Sequence, residues 1–183
     1  MDLKKLISLL SFAFLCFSCS NSPNVFSYSG YALGTSFKIV YSSDNSLDNI
    51  ERLTDSIFFE INKSLSTYLI SSDISKINDG IDSIKVDSHF VNVFNQSKII
   101  WESSNGFFDP TIGLLVNAYG LGPNSKLNRL LDLDSLINLT GFENVSLVND
   151  RVVKTKNGIL LDFNAIAKGY CVDVISNMLI DNQ

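Results

Sequence analysis

The sequence predicts a mixed α+β fold, a sheet with helices packed against it. Three observations lead there. Two stretches repeat apolar residues at spacings of three and four, the signature of one-sided helices. Several short runs are rich in Val, Ile, Phe and Tyr and are bounded by Asn, Asp or Gly, as strands are. The two kinds of segment do not alternate strictly, which separates this chain from a doubly wound fold. With 183 residues, 45% apolar and 18% charged, the chain can bury a core of its own and is not of disordered composition.

Taken in order, residues 20–27 are rich in Ser, Asn and Pro and read as a tether. Tyr28 to Ser42 reads as one strand interrupted at Gly34-Thr35, with a bulge the expected form of the interruption. Ser46 is placed to cap a helix whose apolar face is Leu47, Ile50, Leu53, Ile57, Ile61 and Leu65. A short segment, Ile74–Asn78, ends in a turn at Asp79-Gly80. A second amphipathic helix is expected from Ser88 to Ser104, with Phe90, Val93, Phe94, Ile100 and Trp101 apolar and Asn105-Gly106 as its C-terminal stop. Pro110, Gly113, Gly120, Gly122 and Pro123 punctuate the next stretch. Short strands are expected at 145–148, 152–155 and 159–163, followed by a helix from Ala165. Asp181-Asn182-Gln183 contains no terminator signal, so a truncated gene or a fragment is expected.

Residues 1–19 carry a basic start, Lys4-Lys5, and an apolar run from Leu6 to Phe17 that is short for a membrane span and right for a secretory signal. Ser18-Cys19 then precedes the polar tether. This arrangement resembles a bacterial lipobox with Cys19 as the lipidated residue, although Cys16 stands where an aliphatic residue is usual. The expected location is the periplasmic side of the cell envelope, held by acyl chains in the membrane. Charge adds an exclusion. Lys and Arg number 14 against 19 Asp and Glu, and no basic stripe gathers, so nucleic acid is not an expected partner. One His and three Cys make a zinc site built from those residues improbable.

Two segments stand out chemically. In Gly106-Phe107-Phe108-Asp109-Pro110-Thr111, the proline biases Asp109 to an extended backbone, and two rings sit beside flexible glycine. A planar ligand would suit it, and so would an ordinary helix stop followed by a tight turn. In Leu161-Asp162-Phe163-Asn164-Ala165-Ile166-Ala167-Lys168-Gly169-Tyr170, an extended run enters a helix whose first N–H groups and Lys168 would suit phosphates. Asp162 as a helix cap and Lys168 as a solvated charge fit the same residues. The glycine and lysine spacing is not that of a P-loop.

Together these segments resemble the ApbE family of flavin transferases. The shared pieces, in order, are Leu33-Gly34-Thr35, Leu65-Ser66-Thr67-Tyr68, Ser75-Lys76-Ile77-Asn78, Gly106 through Val116, Tyr119 through Pro123, and Leu161-Asp162 to Asp173. The resemblance covers residues 28–183 and implies an ApbE-like sheet whose C-terminal part is missing. It implies an enzyme that attaches the FMN moiety of FAD to a Thr or Ser hydroxyl of a target protein, with Mg²⁺ as cofactor and AMP released. The target would be a protein of a membrane redox complex. Alternatives are hydrolysis of FAD to FMN and AMP, or a noncatalytic flavin-binding lipoprotein or truncated pseudo-enzyme.

By the same resemblance, Leu33 and Tyr68 line the flavin or adenine pocket, and Phe107, Phe108 and Asp109 contact FAD, with Asp109 accepting hydrogen bonds from it. Asp162 and Lys168 flank the FAD, and the Ala165 carbonyl ligates Mg²⁺. No catalytic group is singled out. Asn164 replaces a small residue and is expected to crowd the helix entrance. The family's Thr-Ser-Gly-Asp-like and Ser-His-x-x-Asp-Pro segments do not occur in these residues, so residues 1–183 are expected not to transfer FMN alone.

Overall fold

The computed structural model describes residues 24–81, 83–124 and 132–182. The signal segment with Cys19, and residues 20–23 of the expected tether, lie outside them. Residues 24–27 belong instead to the first strand, β1 (Asn24–Ala32), which pairs antiparallel with β2 (Thr35–Ser43). The run read as one interrupted strand is therefore a hairpin. Leu33 and Gly34 form its two-residue turn, both at positive φ (50° and 74°), because only a primed turn matches the twist of the flanking strands. Glycine adopts that conformation freely. Leu33 is held there while packing against the core.

Helix α1 (Ile50–Leu65) starts later than the spacing implied. Ser46 does not cap it; its hydroxyl donates to Asp48, and the entry is held by the Leu47 N–H donating to the Tyr41 hydroxyl at 2.9 Å. Helix α2 (Asp73–Asn78) is capped by Ser72, whose Oγ accepts the Ser75 N–H. Its end is a Schellman motif around Gly80 at φ 89°: Gly80 N–H donates to Ile77 and Ile81 N–H to Lys76. Helix α3 (Ser88–Ser103) is capped by Asp87 and stops as expected, with Asn105 and Gly106 N–H groups bonded back to Glu102 and Trp101. Ile100, expected on its apolar face, is exposed.

Two short helices follow, α4 (Gly113–Ala118) and α5 (Leu133–Ile137), then a second hairpin of β3 (Val145–Val148) and β4 (Arg151–Lys154). The last helix is α6 (Asn164–Asp181). The core gathers Phe58, Ile61 and Leu65 of α1, Ile74 and Ile77 of α2, and Phe90, Val93 and Phe94 of α3. Val152, Ile159, Leu161 and Phe163 meet them with Cys171 and Ile175 of α6. Phe90 and Phe163 meet edge to face, 5.3 Å between ring centroids. The mixed α+β class is as expected. Among the described residues no helix is long and apolar enough to cross a membrane.

Residues 159–163 differ from expectation in an informative way. They alternate as a strand should, with Ile159, Leu161 and Phe163 fully buried, yet they join no ladder beyond one parallel bridge, Leu160 to Ile112. On that side Gly113 N–H donates to the Leu160 carbonyl and Asp162 N–H to the Pro110 carbonyl. On the other side, a side chain replaces the missing strand. Asn78 donates its amide to the Leu161 carbonyl and accepts the Leu161 N–H, both at 2.8 Å. Without it, two deeply buried backbone groups would stand unpaired, at about 1–3 kcal/mol each.

Candidate functional site

The ends of these elements surround a cavity of about 760 Å³, within the range of small-molecule sites. Leu33, Tyr68, Phe107, Phe108, Asp109, Asp162, Ala165 and Lys168 all line it. A smaller concavity of about 480 Å³, between the end of β2 and α6, gathers none of them.

Each wall has a local cause. The Leu33-Gly34 turn brings the hairpin tip to the cavity. The loop after α1 is tied down where the Ser66 carbonyl accepts the Ser72 hydroxyl (2.7 Å) and the Leu69 N–H (3.3 Å). This presents the Tyr68 ring, 62% exposed, with its hydroxyl donating to the Leu121 carbonyl at 3.1 Å. The α3 stop throws Phe107 outward, 96% exposed, while Phe108 is half-buried and its N–H donates to Ser104 Oγ. Exposed rings of this kind at a cavity mouth are ready to stack on a planar ligand.

Asp109 lines the cavity and is also engaged within the protein. Its Oδ1 accepts both the backbone N–H and the hydroxyl of Thr111, and its Oδ2 accepts the Phe142 N–H at 3.2 Å. The Thr111 hydroxyl in turn accepts the Gly141 N–H at 2.7 Å. Each carboxylate oxygen therefore accepts at least one hydrogen bond from the protein. These bonds tie the 107–111 loop to the 141–142 turn.

Asp162 and the start of α6 are also partly used internally. Asp162 Oδ1 accepts the Asn164 N–H at 2.7 Å, and the Ile166 and Ala167 N–H groups donate to the Phe163 carbonyl. Of the first four N–H groups, only that of Ala165 has no protein acceptor among the described residues, so the expected phosphate cradle is narrower than the sequence implied. Asp162 lines the cavity, and its Oδ2 accepts no protein hydrogen bond among the described residues. Lys168 lines the cavity, is exposed and joins no ion pair among the described residues. Asn164 lines the cavity at this helix start, and its amide donates to Thr67 Oγ1 at 3.4 Å, bridging α6 to the Tyr68 loop.

A divalent cation, which the resemblance implies, would need several oxygen ligands at this cavity. Among the described residues no three His, Cys, Asp or Glu side chains gather. The Ala165 carbonyl lies in the first turn of α6, where helical geometry points it at the Gly169 N–H. That carbonyl and Asp162 are fewer oxygens than a complete Mg²⁺ shell requires, so the described residues alone do not fit the ion. Sequence reasoning missed Asn62, Ser66, Ile112, Val116, Leu121 and Asn164 as cavity walls. The spacing of Ile112 and Val116 by four was the available signal for that pair. The single histidine, His89, sits away from these walls, with its Nδ1 2.9 Å from the Tyr170 hydroxyl. Cys171 is buried, and burial pushes its thiol up to about 11, so it is no nucleophile.

The α+β scaffold thus brings three aromatic rings (Tyr68, Phe107 and Phe108), two carboxylates (Asp109 and Asp162) and Lys168 to one cavity. The family model of the ApbE family matches residues 33–183, and the chain belongs to that family. It is 26% identical over 97% of its length to an FAD:protein FMN transferase of Haemophilus influenzae, and 27% identical over 95% to that of Vibrio cholerae. The match covers 56% and 54% of those two relatives, so the chain spans about half the length of the curated relatives it matches. Among solved structures, the flavin transferase ApbE from Vibrio cholerae superposes with TM-score 0.78 at 24% identity, covering 87% of this chain and 54% of that one. An ApbE protein from Thermotoga maritima gives 0.75 at 28% identity, covering 86% and 53%.

Proposed function

We propose that this chain is the flavin-holding part of an FAD:protein FMN transferase. The observation that carries the reading is convergence. Segments far apart in the sequence deliver Leu33, Tyr68, Phe107, Asp162, Ala165 and Lys168 to one cavity of nucleotide size. The names of the matched relatives supply the reaction class.

In this reading, Tyr68 and Phe107 stack on the planar ring system and Leu33 excludes water beneath it. Asp162, an acceptor through Oδ2, takes a ligand N–H or O–H. Lys168 faces the diphosphate, whose charge is otherwise uncompensated beside an acidic chain. A Thr or Ser hydroxyl of the acceptor attacks the phosphorus of the FMN half. The new O–P bond forms as the bond to the AMP phosphate breaks, AMP departs, and the hydroxyl proton passes to solvent or a base. Cys19 is the proposed lipid anchor, holding the protein at the periplasmic face of a membrane, where an acceptor in a redox complex would meet it.

The test is flavin fluorescence on a gel. FAD, Mg²⁺ and an acceptor protein bearing Thr or Ser are incubated with residues 1–183 and with a form extended to the length of the relatives. The expected outcome is FAD binding by both and acceptor labelling with matching AMP release by the longer one. Free FMN and AMP without labelled protein would show hydrolysis instead. No binding by either would contradict the reading.

A further inference from the structure

We infer that Asn78 is a positioning residue for the cavity, acting through Asp162. The inference deepens the flavin-binding reading above and rests on it for the ligand used as probe. Asn78 is 83 residues from Leu161 in sequence and is not one of the cavity walls. Its amide makes both hydrogen bonds that a neighbouring strand would make to Leu161: it donates to the carbonyl and accepts the N–H, each at 2.8 Å.

The opposite edge of the same segment is fixed by Gly113 N–H on the Leu160 carbonyl (3.1 Å) and by Asp162 N–H on the Pro110 carbonyl (2.7 Å). Asp162 thus hangs from a backbone clamped on both edges, and only one clamp is a side chain. The alternation of the segment sends Ile159, Leu161 and Phe163 into the core, and Asp162 lines the cavity. A shift of the Leu161 peptide on the Asn78 side would turn Asp162 with it. The clamp itself is well anchored. Asn78 ends α2, whose Schellman stop at Gly80 fixes its position, and Lys154 Nζ donates to the adjoining Ile77 carbonyl at 2.8 Å.

A purely structural role would lower stability and leave the ligand term untouched, so the test is a double-mutant cycle read by FAD affinity. Asn78→Asp keeps an acceptor for the Leu161 N–H and loses the donor to its carbonyl. Asp162→Asn keeps the bond from Asn164 N–H and removes the charge. The expected result is at least a fivefold loss of FAD affinity from Asn78→Asp with Asp162 in place, and less than twofold in the Asp162→Asn background. Equal losses in both backgrounds would overturn the inference. Asn78→Ser, shorter and uncharged, serves as the second variant where Asn78→Asp does not fold. Amide exchange at Leu161 and Asp162 gives a ligand-free readout. Both amides should exchange at least tenfold faster in the variant, and unchanged exchange would overturn the inference even if FAD proves not to bind the native chain.

Discussion

Thr111 donates both its backbone N–H, at 2.8 Å, and its hydroxyl to the same carboxylate oxygen of Asp109. With the Phe142 N–H on the other oxygen, this makes Asp109 the knot between the loop bearing Phe107 and the turn at Gly141. Asp109→Ala should therefore lower stability by about 2–3 kcal/mol, since Thr111 is fully buried and its N–H would lose its acceptor. Urea denaturation measures the loss. A variant of native stability with only FAD affinity reduced would assign Asp109 the ligand-contact role that the sequence suggested.

Phe107 and Tyr68 are expected to behave in the opposite manner. Phe107 is almost wholly exposed, so Phe107→Ala should leave the melting temperature nearly unchanged. In the flavin reading it should weaken FAD binding about tenfold, equivalent to ~1.4 kcal/mol. Tyr68→Phe, which loses only the hydroxyl bond to Leu121, should do less than Tyr68→Ala. Fluorescence titration of FAD against each variant separates these outcomes.

How much of this was legible beforehand follows from where each signal lies. The α3 stop was readable because Asn105-Gly106 supplies the left-handed residues a Schellman motif needs. The first hairpin was not, because Leu33 occupies a positive-φ position that sequence rules reserve for Gly, Asn or Asp. The cavity residues carried over by resemblance do share one cavity, but the bond that Asp109 accepts from Phe142 comes from 33 residues away. The run 159–163 looked like a strand because its side chains alternate; that its partner is the Asn78 amide is a tertiary fact with no local signature.

Two glycines should respond oppositely to alanine. At Gly113 a Cβ would stand 2.8 Å from the Leu160 carbonyl oxygen, so Gly113→Ala should push apart the parallel bridge and destabilise the chain. At Gly169, within α6, a Cβ would meet nothing within 4 Å. Gly169→Ala should stabilise by roughly 0.5–1 kcal/mol through the usual helix preference. Paired thermal melts check both signs.

Cys171 sets a pH dependence. Burial raises its thiol to about 11 in the folded chain, while the unfolded thiol ionises near 9.0. The unfolded form therefore releases a proton first. This contribution to stability is complete below about pH 9 and is lost as pH rises through about 11. Cys171→Ala should flatten that alkaline decline, measured as the urea midpoint between pH 8 and pH 11, and a decline of equal slope in the variant would assign it elsewhere.

The most direct test of the cavity as a flavin-nucleotide site is a pair of binding titrations on Lys168→Ala, one with FAD and one with riboflavin, which shares the ring but carries no phosphate. Lys168 lines the cavity with no ion-pair partner among the described residues, so its charge should act on the diphosphate alone. FAD affinity should fall about tenfold, ~1.4 kcal/mol, at low salt and less at high salt. Riboflavin affinity should stay within twofold of the native chain. Equal losses for both ligands, or no saturable FAD binding by the native chain, would contradict the assignment.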